Sequence, residues 1–145
     1  MKDRICELEC NIDDMTAEEL AFAAERLMEE GAKDVTLSPV QMKKGRPATL
    51  MTVMCADEEK EKERFVRLIF KYTSTIGIRE VISERYILDR TEKTVDTPYG
   101  QVRVKKVSGY GTERSKFEYE DLARIARRQG ISIAAARTLV EKEAE

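Results

Sequence analysis

Polar and apolar residues alternate over residues 5–12. Cys6, Leu8, Cys10 and Ile12 fall on one side, and Glu7, Glu9 and Asn11 on the other. A period of two predicts a strand with one buried face. The period then changes. Leu20, Ala23, Ala24, Leu27 and Met28 recur at helical spacing, which predicts a helix over residues 17–30 that buries all of them. Thr16 with Glu19 forms a capping box ahead of it, and Gly31 offers a left-handed stop. Residues 34–40 and 49–55 read as two further strands. Asp57 is placed to cap a second helix over residues 58–72, with Phe65, Leu68, Ile69 and Tyr72 as its apolar stripe. Thr73, Ser74 and Thr75 then lead through Ile76, Gly77, Ile78 and Arg79 into a fourth strand. Strand–helix–strand given twice is the split βαβ order of a ferredoxin-like sheet with helices on one face.

The later part follows a different order. Residues 85–95 and 101–107 read as strands joined by a turn at residues 96–100. Gly109, Tyr110 and Gly111 interrupt the pattern, and residues 112–117 are extended. A helix over residues 119–129 carries Leu122, Ile125 and Ala126 and stops at Gly130; Ser132 caps a last helix over residues 133–143. The expected fold class is α+β, with a ferredoxin-like subdomain over residues 1–83. A smaller β-hairpin-plus-helices subdomain follows over residues 84–145.

Composition narrows the function. The 145 residues are 41% apolar, enough for a core. The 26 basic and 28 acidic residues nearly cancel, whereas general binding to nucleic acid or a membrane surface needs a positive excess. No apolar run approaches the ~20 residues of a membrane span, and the N-terminus has no signal-peptide pattern. Cys6, Cys10 and Cys55 lie on predicted strands without CxxC spacing, which points to reduced packing thiols and a cytoplasmic location. A zinc site built from the three is the alternative. With no histidine, Ser/His/Asp and Cys/His nucleophile mechanisms are excluded.

Three stretches can carry chemistry. Lys43, Lys44 and Arg46 crowd around Gly45 between two strands, and Pro47 stiffens the exit. Such a loop is either a solvated hairpin tip or a seat for an anion that the glycine lets the backbone approach. Asp13 and Asp14 stand where a strand hands over to a helix. They either favour the helix start electrostatically or hold a divalent ion or a water. Thr73, Ser74, Thr75 and Arg79 form either an ordinary connection or a phosphate wrap of hydroxyls, backbone N–H groups and a planar guanidinium. Lys105, Lys106, Arg114 and Lys116 add cations, while Phe117 and Tyr119 either pack in the core or flank a base. Neither GxxxxGKS/T nor GxGxxG occurs.

Four stretches, taken together and in order, resemble one family. They are Glu9-Cys10-Asn11-Ile12-Asp13-Asp14-Met15-Thr16, Gln41-Met42-Lys43-Lys44-Gly45-Arg46-Pro47, Thr73-Ser74-Thr75-Ile76-Gly77-Ile78-Arg79 and Lys116-Phe117-Glu118-Tyr119-Glu120-Asp121. They are similar to the C-terminal domain of the LarC family of nickel-insertion proteins. The chain departs from that pattern at Cys10, where threonine is usual, and at Gly45, where asparagine is common.

The resemblance implies a CTP-dependent cyclometallase, or nickel chelatase, of the lyase class. Such an enzyme inserts Ni2+ as substrate metal into pyridinium-3,5-bisthiocarboxylic acid mononucleotide. The product is the nickel-pincer nucleotide cofactor of lactate racemase, and CTP, accompanied by Mg2+ or Mn2+, is hydrolysed to CMP and pyrophosphate. It implies that this chain is the CTP-binding domain of a longer protein, that it forms a homo-oligomer, and that nickel is handled largely by an N-terminal region. The residues expected to hold the nucleotide are Lys43, Lys44, Arg46, Thr73, Ser74, Thr75, Arg79, Lys105, Lys116 and Glu118. Asp13 and Asp14 are the expected catalytic and metal-binding groups. A regulatory nucleotide-binding module, or an oligomerisation module, without catalysis is the other reading.

Overall fold

A computed structural model describes residues 1–143. The chain divides into two compact units, Lys2–Arg85 and Met1 with Tyr86 onward. In the first, β1 (Lys2–Ile12), α1 (Ala17–Glu29), β2 (Asp34–Gln41), β3 (Pro47–Ala56), α2 (Glu59–Tyr72) and β4 (Arg79–Tyr86) follow in order. They build one sheet in the order β2-β3-β1-β4. β1 and β2 both pair antiparallel with β3, and Cys10 stands opposite Met51. The alternation of β1 buries Cys6, Leu8, Cys10 and Ile12 against Leu20, Ala23 and Leu27 of α1 and Phe65 and Ile69 of α2. Pro39, which cannot donate to a ladder, sits on the edge strand β2.

The capping box forms as expected, with Glu19 N–H donating to Thr16 Oγ1 at 3.2 Å and Thr16 N–H to Glu19 Oε2 at 2.7 Å. Two local expectations fail. Met28 is 45% exposed, since the buried stripe of α1 narrows to Leu20, Ala23 and Leu27. Asp57 does not cap α2; its carboxylate pairs with Arg4 at 3.1 Å and Lys62 at 3.6 Å, and Glu58 takes the cap position.

The second unit holds β5 (Asp89–Thr97), β6 (Gly100–Gly109) and β7 (Thr112–Phe117), then α3 (Tyr119–Gln129) and α4 (Ile133–Glu143). The hairpin gains a third strand, giving a β5-β6-β7 meander. Tyr110 and Gly111, both at positive φ (48° and 73°), make its second turn, as a tight two-residue hairpin requires. Val102 packs with Leu122, Ile125 and Ala126 of α3 and Ala136 and Val140 of α4. Gly130 (φ 64°) stops α3, and Ser132 accepts a bond from Ala135 N–H at 3.1 Å ahead of α4.

The strand expected over residues 85–95 is two strands in two sheets. Tyr86 ends β4 and Asp89 begins β5; between them Ile87 N–H donates to Met1 O at 2.9 Å, outside either ladder. The continuous polar–apolar pattern hides this because a change of pairing partner leaves no local mark. No helix is long and apolar enough to cross a membrane among the described residues.

Candidate anion-binding site

The topology of the first unit collects its chemistry at one end of the sheet. Ile12, at the end of β1, stands opposite Thr49, and Gln41, at the end of β2, opposite Pro47. The basic loop between β2 and β3 therefore lies beside the start of α1. It is one 3-10 turn over Lys43–Gly45, with Lys44 (φ 61°) and Gly45 (φ 68°) both left-handed. Met42 N–H donates to Arg46 O at 2.8 Å and closes the turn. The expected role of Gly45 is thus shared: a lysine also takes the left-handed conformation that glycine adopts at no cost.

Arg46 Nη1 donates to Asp13 Oδ2 at 3.3 Å. Ser74 Oγ donates to Asp14 Oδ1, and Ser74 N–H reaches Met15 Sδ at 3.3 Å. Thr73 Oγ1 donates to Ile69 O at 2.8 Å and ties off α2, while Thr75 Oγ1 donates to Gly77 O at 2.9 Å. Arg79, the first residue of β4, donates through Nη2 to Asn11 Oδ1 at 3.0 Å and Glu9 Oε2 at 3.4 Å. Arg46 is thus paired with Asp13, Ser74 with Asp14, and Arg79 with Asn11 and Glu9 around the end of β1, with Lys43 and Lys44 on the adjoining loop. The two lysines have no side-chain partner among the described residues. All three hydroxyls already donate within the chain, and Ser74 does so to the carboxylate of an exposed aspartate.

Glu9 and Asn11 are the residues that the sequence reading left out. The signal was present: both alternate with buried Cys10 and so point away from the helices, on the face where Arg79 lies. On the opposite face burial pushes the Cys10 thiol up, against the weaker pull of the Thr75 hydroxyl and Arg79.

Lys105, Lys116 and Glu118 belong to the second unit. Lys105 of β6 pairs with Glu118, and this bond outweighs the upward push of desolvation and holds the Glu118 carboxyl below its usual range. Lys105 and Lys116 both line a cavity of about 860 Å³. Phe117 lines it too while packing against the core, and Tyr119 is 57% exposed.

A magnesium-type ion on a triphosphate takes most of its oxygens from phosphate and water and needs only one or two carboxylates. Adjacent Asp13 and Asp14 match that donor set. Among the described residues no group of three or more Cys, Asp or Glu side chains is placed to hold a metal alone. The three-thiol zinc alternative is overturned by the same observation. Cys6 stands opposite Cys55, but Cys10 lies four residues further along β1, about 13 Å at ~3.3 Å per residue.

The model of the nickel insertion protein family matches residues 1–137 of the chain. A pyridinium-3,5-bisthiocarboxylic acid mononucleotide nickel insertion protein of Alkaliphilus metalliredigens is 47% identical over 137 residues, which cover 93% of this chain and 32% of the relative. One of the same description from Acetivibrio thermocellus is 41% identical over 140 residues, covering 97% of this chain and 34% of the relative. The chain spans 29–42% of the length of the curated relatives it matches. Among solved structures, the apo C-terminal domain of a cyclometallase involved in the synthesis of the NPN cofactor of lactate racemase superposes with a TM-score of 0.82. It is 35% identical, and the match covers 99% of both chains. A Methanopyrus kandleri protein, 23% identical with a TM-score of 0.72 over 93% of this chain and 85% of its own, shares the fold.

Proposed function

The chain belongs to the nickel insertion protein family, and on that premise we propose that it is the CTP-binding part of a CTP-dependent cyclometallase. The whole protein inserts Ni2+, a substrate here, into pyridinium-3,5-bisthiocarboxylic acid mononucleotide to form the nickel-pincer nucleotide cofactor of lactate racemase. The triphosphate sits at the end of the first sheet. Lys43 and Lys44 meet it as unpaired cations, and Arg46 and Arg79 turn to it from Asp13 and Glu9. Ser74 leaves Asp14 for a phosphate oxygen, which frees that carboxylate. Asp13 and Asp14 then hold Mg2+ or Mn2+, an ion that neutralises phosphate charge when bound.

The observation that supports this reading is that Arg46 bonds Asp13, Ser74 bonds Asp14 and Arg79 bonds Asn11 along the last residues of β1 and the turn after it, across up to 68 positions of sequence. Chemically, fixed cations draw charge from the α-phosphorus, so a nucleophile from the substrate attacks there. The bond to the β-phosphate breaks and its electron pair leaves on pyrophosphate.

Titration of the Lys43→Ala plus Arg46→Ala variant with Mn-CTP tests the site. Charge-assisted bonds of ~1.5–3 kcal/mol each predict a loss of at least about tenfold in affinity; unchanged binding removes the loop from the site. Pyrophosphate release in the presence of the pyridinium mononucleotide separates a cyclometallase from a regulatory module that binds CTP without turning it over. An oligomerisation module predicts no CTP dependence of the melting temperature at all.

A further inference from the structure

The cavity in the second unit is lined by cations from every strand of the meander and from α4: Arg90, Lys105, Arg114, Lys116 and Arg137. Only Lys105 among them has a side-chain partner within the described residues, the carboxylate of Glu118. The register sets Lys105 directly opposite Lys116, and Arg114 shares the face of Lys116 two residues away. Like charges placed directly opposite one another destabilise the sheet. A chain with a net charge of −2 thus concentrates five cations around one hollow and leaves four of them unanswered. The lining holds a single carboxylate, Glu141, and one aromatic side chain, Phe117. At about 860 Å³ the hollow falls within the ~300–1,000 Å³ of small-molecule sites.

We infer that this cavity is a second ligand site, separate from the triphosphate site, which takes a ring-cation mononucleotide bearing carboxylate-type groups. Several anionic groups and one positive ring match five cations, one carboxylate and one flat apolar surface. A cytidine triphosphate has no cationic centre for Glu141 to answer. The inference rests on the proposed function for the identity of the ligand: the substrate mononucleotide carries a phosphate, two thiocarboxylates and a pyridinium ring.

Nicotinic acid mononucleotide, a pyridinium mononucleotide with one carboxylate, serves as the probe, titrated calorimetrically into the intact chain. Arg114 and Arg137 are exposed, so the Arg114→Ala plus Arg137→Ala variant leaves the core intact. The expected result is at least a tenfold loss of affinity for the probe, with Mn-CTP affinity within twofold of the parent. Glu141→Gln is expected to weaken the probe about threefold without weakening inorganic pyrophosphate. Failure of the parent chain to bind the probe at millimolar concentration overturns the inference, as does unchanged binding by the double variant. Loss of Mn-CTP rather than probe in that variant also overturns it, because the hollow is then a triphosphate site. A parent chain that binds the probe as described but not Mn-CTP leaves this site standing and removes the reading of the first.

Discussion

Arg79 separates a binding role from a folding role. Its guanidinium donates to Asn11 at 3.0 Å and Glu9 at 3.4 Å, and its side chain is 55% exposed. A pair that wet contributes ~0–1 kcal/mol to folding. In Arg79→Ala the freed Asn11 and Glu9 are recovered by solvent, and the melting temperature is expected to move by no more than about 2–4 °C. A guanidinium bonded to a phosphate is worth more, ~1.5–3 kcal/mol, which corresponds to a loss of roughly 10- to 150-fold in Mn-CTP affinity. Arg79→Lys keeps the charge but not the planar fork and falls between the two. The reciprocal change is sharper: Glu9→Gln removes the anion that competes for Arg79, so Mn-CTP binding is expected to tighten severalfold. Calorimetric titration at fixed ionic strength, with thermal melts of each variant, measures both sides. Affinity in Arg79→Ala within twofold of the parent, with melting unchanged, refutes the assignment of this arginine to the phosphates.

Two further outcomes follow from buried groups. Asp121, 4% exposed, accepts from Arg103 Nε at 2.9 Å, from the Arg103 backbone N–H at 2.9 Å and from Arg124 at 3.0 Å. Asp121→Ala leaves that N–H unanswered, but solvent recovers the half-exposed arginines, so the expected cost is ~2–3 kcal/mol rather than that of a fully buried pair. Near-ultraviolet tyrosine signals report it, since Tyr99, Tyr110 and Tyr119 lie in that unit, while Tyr72 lies outside it and Tyr86 ends β4. The Arg103 bond holds Asp121 below its usual 3.8, so its stabilisation is complete above that pH and lost as pH falls through the lower folded value. The variant is expected to lose this part of the acid dependence. On the thiols, burial first and Cys55 second push Cys6 up to about 12, and Cys10 and Cys55 are also raised by burial. All three are expected to resist an alkylating reagent at pH 8 in the folded chain and to react on denaturation; rapid labelling of the native protein contradicts this packing.

What sequence could reveal here was whatever depends on residues near one another along the chain. The alternation from Cys6 to Ile12, the Thr16–Glu19 capping box and the Gly130 stop are local, and each stands as read. The break at Ile87 was not local, because it depends on which strand accepts the next ladder. The same division runs through the candidate site. The crowding of Lys43, Lys44 and Arg46 is visible in four residues. That Arg46 meets Asp13 is not, for it requires Ile12 to pair with Thr49; a shift of one residue in that register would turn the strand's side chains over. Glu9 and Asn11 lie between these cases: alternation placed them on the open face, but only the pairing of β4 with β1 brought Arg79 to them. The cations of the second unit show the limit most plainly. Arg90 and Arg137 are 47 positions apart, carried by a strand and a helix of different periods, and no reading of either segment alone puts them on one hollow. Charge that is scattered along the polymer becomes a field only when register and packing have fixed where each segment ends. The binding groups are therefore the last thing a sequence discloses, although the strands that carry them are among the first.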